Sequence, residues 1–152
     1  MGVRDGGLPA DLRRAARAQG ARRSTADRLL RVVRGEVSAG AELVDLYRSH
    51  VDRRRYLVIT TEGVHITRVG VFSTCDQWVA PGDIVSVYPQ RHTASGCVSD
   101  EITIETAAGE FLEFQFGLSA GHEQAALDRD ARATVLAAEQ LGLLQRGSRR
   151  GE

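Results

Sequence analysis

Several groups of side chains in this sequence are of the types that do chemistry. Arg53-Arg54-Arg55 sets three guanidiniums side by side, and a guanidinium fork matches the oxygens of phosphate or carboxylate. Cys75, His92 and Cys97 offer sulfur and imidazole ligands. No two of them have the close spacing of a zinc knuckle, and a fourth ligand would have to be borrowed. Ser95-Gly96-Cys97 lies near His92, which invites a nucleophile with its base. The strand-to-helix turn of a G-x-S-x-G elbow is missing, so a flexible polar connection is the better reading. Glu101, Glu105 and Glu113 are spaced to face water, where carboxylates stay ionised without acid/base work. They form a candidate acidic face for a partner. Neither phosphate-binding glycine motif occurs. These observations imply no catalytic set, no metal and no cofactor, and point to a binding module.

The elements that position these groups follow from hydrophobic periodicity. Residues 1–24 are arginine-rich, with few large apolar side chains, and are expected to form a mobile arm. A helix follows, capped by Ser24 or Thr25, with Leu29, Leu30, Val33 and Val37 at helical spacing and Gly35 as its end. From Ala41 to Gly117 the pattern alternates, and strands are expected near 42–50, 54–61, 64–71, 76–80, 83–89, 100–106 and 110–116. This puts Arg53-Arg54-Arg55 in the turn between the first two strands. Val64 and Ile66 should face inward, with His65 and Thr67 outward. In the last hairpin Ile102, Ile104, Leu112, Phe114 and Phe116 should line the core, while Thr103, Glu105, Glu113 and Gln115 face solvent. A second helix is expected after Ser119, with Leu127, Ala131, Val135, Ala138 and Leu141 as its buried stripe and Gly142 as its stop. Residues 143–152 read as a polar tail.

Composition narrows the class of protein. The chain has 152 residues and a formal net charge of zero, enough for one domain with a real core. The zero hides a segregation. Residues 1–34 carry nine arginines against three aspartates, a net +6, and residues 56–123 carry two arginines against nine acids, a net −7. All 20 basic residues are arginine. That bias fits nucleotide composition and does not indicate a specific nucleic acid as partner. Two cysteines are too few for a disulfide framework and fit a reducing compartment. No apolar run approaches the roughly 18 residues of a membrane span, and the N-terminus lacks the apolar centre of a signal peptide. A cytoplasmic protein is expected, with peripheral attachment to a membrane as a variant of that location.

One N-terminal helix, seven short strands and a long amphipathic helix, in that order, resemble the bacterial PH-like families. The likeness is sharpest in two segments. Arg55-Tyr56-Leu57-Val58-Ile59-Thr60-Thr61-Glu62-Gly63-Val64-His65-Ile66 is similar to the family's strand, tight turn and second strand. Val79-Ala80-Pro81-Gly82-Asp83-Ile84-Val85-Ser86-Val87 resembles its "hydrophobe-x-P-x-x-I-x-x-V" segment. The resemblance covers about residues 25–142 and implies a mainly β PH-like domain. Its architecture would be a seven-stranded antiparallel barrel of two near-orthogonal sheets, with an N-terminal helix and a capping C-terminal helix. It also implies a non-enzymatic role. PH domains that bind phosphoinositides place basic residues where Arg53, Arg54 and Arg55 fall. The sequence departs from the family at Glu62, where a basic residue is usual. Two kinds of partner follow from the resemblance and the charge pattern. The first is another protein, met by a strand edge or by the acidic face. The alternative is an anionic membrane or polyanion, met by the arginine-rich arm and Arg53 to Arg55.

Overall fold

The computed structural model describes residues 7–150. In chain order the elements are α1 (Gly7–Ala18), α2 (Arg23–Arg34), β1 (Leu43–Arg48), β2 (Arg55–Thr60), β3 (Gly63–Val69) and β4 (Thr74–Val79). A 3-10 turn at Pro81–Asp83 leads to β5 (Ile84–Ala94), β6 (Cys97–Thr106), β7 (Phe111–Ala120) and α3 (Gln124–Arg150). The seven strands make two antiparallel meanders, a four-stranded sheet β1-β2-β3-β4 and a three-stranded sheet β5-β6-β7. The expected mainly β architecture with helices at both ends is present. The barrel, however, is not closed. The strands form two separate sheets that share a core, with the 3-10 turn at Pro81–Asp83 as the link between β4 and β5.

Two cores lie on opposite faces of the four-stranded sheet. Leu57, Ile59, Val64 and Ile66 join Ile102, Ile104, Leu112, Phe114, Phe116 and α3 residues Ala137 and Leu141 in the inner core. Tyr56, Val58 and Val69 face outward and are covered by Leu8, Leu12 and Ala16 of α1 and by Leu29, Leu30 and Val33 of α2. With both faces covered, β2 shows burial at five consecutive positions instead of alternation. In the hairpin Ile102, Ile104, Leu112, Phe114 and Phe116 are buried as expected, while Thr103, expected to face solvent, is buried as well.

Four expectations are corrected. The arm expected over 1–24 is helical from Gly7 to Ala18, while residues 1–6 lie outside the described residues. Burying Leu8 and Leu12 contributes about 3–6 kcal/mol together before the cost of ordering the chain, which gives α1 a reason to dock. α2 begins at Arg23 with Arg22 as N-cap, and neither Ser24 nor Thr25 caps it with a side chain. In α3 the buried row is Leu127, Asp130, Thr134, Ala137 and Leu141, and Val135 is exposed. Polar residues can occupy that row because they are satisfied there. Arg129 pairs with the Asp130 carboxylate at 3.0 Å, and the Thr134 hydroxyl donates to the Asp130 carbonyl at 2.7 Å. Finally, α3 runs through Gly142 and the expected tail to Arg150. Gln145 holds that end down by donating to the carbonyls of Ile84 and Val85 at 3.0 and 2.7 Å.

Two glycines are required by close approach. Gly63 has φ +149°, and a Cβ there would lie 2.1 Å from the Trp78 ring and 2.6 Å from the Val79 carbonyl oxygen. A Cβ on Gly117 would meet the Asp130 carboxylate at 1.9 Å, so the missing side chain lets α3 sit on β7. Arg91 adds a second tie. It forks onto the buried Asp100 carboxylate at 2.8 and 3.0 Å and reaches the Leu127 carbonyl at 3.0 Å.

Candidate anion-binding site

The turn between β1 and β2 is held by its own polar groups. The Ser49 hydroxyl accepts the backbone N–H groups of Val51 and Asp52, both at 3.1 Å. The Asp52 carboxylate accepts the Arg54 N–H at 3.1 Å and pairs with Arg68 at 3.0 Å. Partial burial pushes the Asp52 carboxyl up, but the Arg68 hydrogen bond, the Arg54 N–H and the charges of Arg68 and Arg55 outweigh it and hold it below the usual aspartate value. An ionised Asp52 therefore fixes the turn that presents Arg53 and Arg54.

The triplet is split by the strand that follows. Arg53 and Arg54 stay on the outer side, while Arg55, the first residue of β2, donates to the Glu113 carbonyl at 2.9 Å across to the other sheet. In place of Arg55 three other arginines join the pair. Arg22, Arg28, Arg48, Arg53 and Arg54 line one cavity of about 420 Å³, completed by Ser24, Thr25, Tyr56 and the chain from Val69 to Val71. No lining residue is acidic. Arg28 donates to the Gly70 carbonyl at 2.6 Å and to Thr74 at 3.1 Å. Arg48 donates to the Arg53 carbonyl at 2.6 Å and to the Gln19 carbonyl at 3.1 Å. Both are oriented by neutral acceptors, and among the described residues neither pairs with a carboxylate.

Beneath them Tyr56 is fully buried, with Arg48 5.8 Å above its ring centroid. Among the described residues its hydroxyl has no hydrogen-bond partner. Burial raises its pKa, and the charges of Arg48 and Arg53 oppose the rise without cancelling it. At neutral pH the hydroxyl keeps its proton and is a donor. Beside the cavity, on the turn from β3 to β4, Val71 is 61% and Phe72 is 98% exposed.

Sequence reasoning reached Arg22 only as part of the arginine-rich arm and missed Arg28, Arg48 and Tyr56; the docking of α2 on the outer face of the sheet brings these residues together from separate elements. The available signal was the string Arg22-Arg23-Ser24-Thr25 at a helix start, an anion-compatible terminus.

The other candidates are dispersed. Glu101, Glu105 and Glu113 share the outer face of the three-stranded sheet, paired across the ladder with Gln115, Phe111 and Thr103. Ser99 donates to Glu101 at 3.1 Å, and Tyr88 to Glu105 at 3.3 Å. The segment Ser95-Gly96-Cys97 is the tight turn and start of a long β5-β6 hairpin, in which His92 pairs with Ser99. It is thus not the flexible connection expected. Cys75 stands on β4 of the other sheet, paired with Arg68. Among the described residues no group of three potential ligands could hold a metal ion. Glu62, the departure from the family pattern, accepts the hydroxyl and the backbone N–H of Ser38. These bonds hold its carboxyl below the usual range, and its role is to tie the α2-β1 connection to the β2-β3 turn.

A buried His65–Asp76 pair was also not anticipated. The His65 Nδ1 lies 3.1 Å from Asp76, whose other oxygen accepts the Thr67 hydroxyl at 2.6 Å. The ring packs on Trp78 at 4.5 Å and is fully buried, so it reaches no substrate.

No family model matches the sequence, and no curated protein does. In structure the chain is similar to a pleckstrin homology domain from Shewanella amazonensis SB2B, with a TM-score of 0.45 and 15% identity over 71% of this chain and 96% of that one. Among the described residues no helix is long and apolar enough to cross a membrane.

Proposed function

We propose that the protein is a non-enzymatic binding module that docks on an anionic membrane surface through the arginine cavity. The observation that carries this reading is a juxtaposition. Five arginines with no acid among the lining residues surround one cavity, and the nearly fully exposed Phe72 projects beside them. Each guanidinium near an anionic bilayer adds about 1 kcal/mol. An aromatic tip at the same edge can enter the interface while the charged heads stay at phosphate level.

Sedimentation with phosphatidylcholine vesicles, with and without phosphatidylglycerol, tests this. Binding should require the anionic lipid. It should weaken as salt shortens the screening length from about 10 Å at 0.1 M to about 3 Å at 1 M. Replacing Arg53 and Arg54 together by alanine should cost about 2 kcal/mol, roughly thirtyfold in partition, and Phe72→Ser should weaken binding at high salt as well. A protein partner is the competing reading. Binding of a basic peptide to the face of Glu101, Glu105 and Glu113, with no binding to vesicles, would favour it.

A further inference from the structure

We infer that the outer face of α3 is a self-association surface, on which a second copy of this chain docks its own α3 antiparallel across a two-fold axis between Gly142 and Leu143. The inference goes beyond the membrane reading and does not rest on it.

Helix α3 buries the row Leu127, Asp130, Thr134, Ala137 and Leu141. At 3.6 residues per turn the face turned away from that row carries Val135, Leu136, Glu139, Leu143, Arg146 and Arg150, with Gly142 and Arg149 on its border. Val135, Leu136 and Leu143 are 54%, 46% and 63% exposed. Glu139, Arg146, Arg149 and Arg150 are exposed too, and among the described residues none of the four makes a side-chain hydrogen bond or an ion pair.

An apolar face alone does not say what covers it, but the order of these residues does. In a two-fold contact residue i of one copy meets residue j of the other, and j meets i. An antiparallel helix pair centred between Gly142 and Leu143 sets Glu139 opposite Arg146, so two charges without partners in the single chain are paired twice over. Gly142 then falls opposite Leu143, Leu136 opposite Arg149 and Val135 opposite Arg150. The arginine stems cover the leucine and valine while their charged heads stay in water. The eight positions form one closed set that is complementary to itself. Centring the pair on Glu139 would instead set that carboxylate against its own copy and Arg132 against Arg146, and like charges face to face are unfavourable.

The shape of the face agrees. Leu143 stands as a ridge beside a hollow of about 540 Å³ that Pro89, Val135, Ala138 and Gly142 help to line, and the two-fold lets each copy place its Leu143 in the hollow of the other. In the single chain the Arg146 guanidinium lies over Gly142, where an added Cβ would be 3.3 Å from its Nη1. Drawn to Glu139 of the second copy, it uncovers the glycine. The formal net charge of zero leaves no overall repulsion between copies.

Sedimentation equilibrium of the full chain without lipid tests this, and its outcome is independent of the vesicle experiment. One helix pair is a small interface, so a reversible monomer–dimer equilibrium with a Kd of roughly 1–100 μM is expected. Glu139→Arg and Arg146→Glu should each weaken it at least roughly tenfold, because each sets like charges opposite one another twice. The two reversals together should restore it to within roughly threefold of the unaltered chain. All three variants change exposed side chains, and the melting temperature of the dilute chain should stay the same. With the exposed Cys75 and Cys97 replaced by serine, Leu143→Cys should form a disulfide-linked dimer in air, whereas Asp128→Cys, remote from the axis, should not. Restoration by the double reversal would support the antiparallel register. A monomer at every concentration would overturn the inference, as would an oligomer that neither single reversal weakens or that the double reversal fails to restore.

Discussion

Replacing Phe114 by alanine tests the register of the hairpin that forms one wall of the inner core. The side chain is fully buried, stands opposite Ile102 in the ladder and meets Phe116 edge to face at 5.0 Å and 81°. Loss of a buried phenyl ring and the cavity it leaves cost about 3–5 kcal/mol, which includes the edge contact. For a domain of this size each kcal/mol is worth roughly 2–4 °C in melting temperature, so the expected fall is roughly 6–20 °C. The neighbouring Glu113 is exposed. Its backbone carbonyl accepts from Arg55, a bond that survives truncation of the side chain, so Glu113→Ala should change stability by less than about 0.5 kcal/mol. Urea titrations of both variants, followed by far-ultraviolet circular dichroism and by the fluorescence of Trp78, give the two costs directly. Equal costs, or a Phe114→Ala cost below about 1 kcal/mol, would refute the assigned faces.

Leu12→Ala should destabilise by about 2–5 kcal/mol, measured by the same titration, because Leu12 of α1 is fully buried; a freely mobile arm would give no change. Gly117→Ala forces a methyl into the Asp130 carboxylate and should lower the melting temperature by more than alanine at exposed Gly121, where the nearest atom is 3.5 Å away. Asp52 is held below the ordinary aspartate value when folded, so its contribution to stability is present above the unfolded value, about 3.9, and is lost as pH falls through the folded one. Carboxyl-carbon NMR should show a titration midpoint below that of an unstructured aspartate, and a midpoint at or above it would contradict the account of the turn.

Much of the β region was legible because its residues alternate. In Ile102 to Ile104 and again in Leu112 to Phe116 every second side chain is large and apolar, and a one-residue slip would put all of them on the opposite face. Helix α1 was not legible because Leu8, Leu12 and Ala16 find their partners at Leu29, Val33, Leu46 and Val58, and composition alone reports none of those contacts. The buried row of α3 was misread because Asp130 and Thr134 look like solvent residues until Gly117 and Arg129 are placed beside them. Arg53 and Arg54 were legible as charges on a turn. Arg55 was grouped with them by adjacency, although the strand begins there and turns it toward the opposite sheet. Convergence of Arg22, Arg28 and Arg48 on the same cavity depends on α2 docking against the outer face, a tertiary event that periodicity within each segment does not encode.

In the proposed function the arginine cavity and the β3-β4 turn together form the contact surface. Hydrogen exchange of the full chain, with and without vesicles containing phosphatidic acid, tests it most directly. Protection is expected to rise in residues 22–28, 48–56 and 69–74 and to stay unchanged over Glu101 to Phe116. Unchanged exchange in the first three segments, or new protection confined to the acidic hairpin, would contradict the claim.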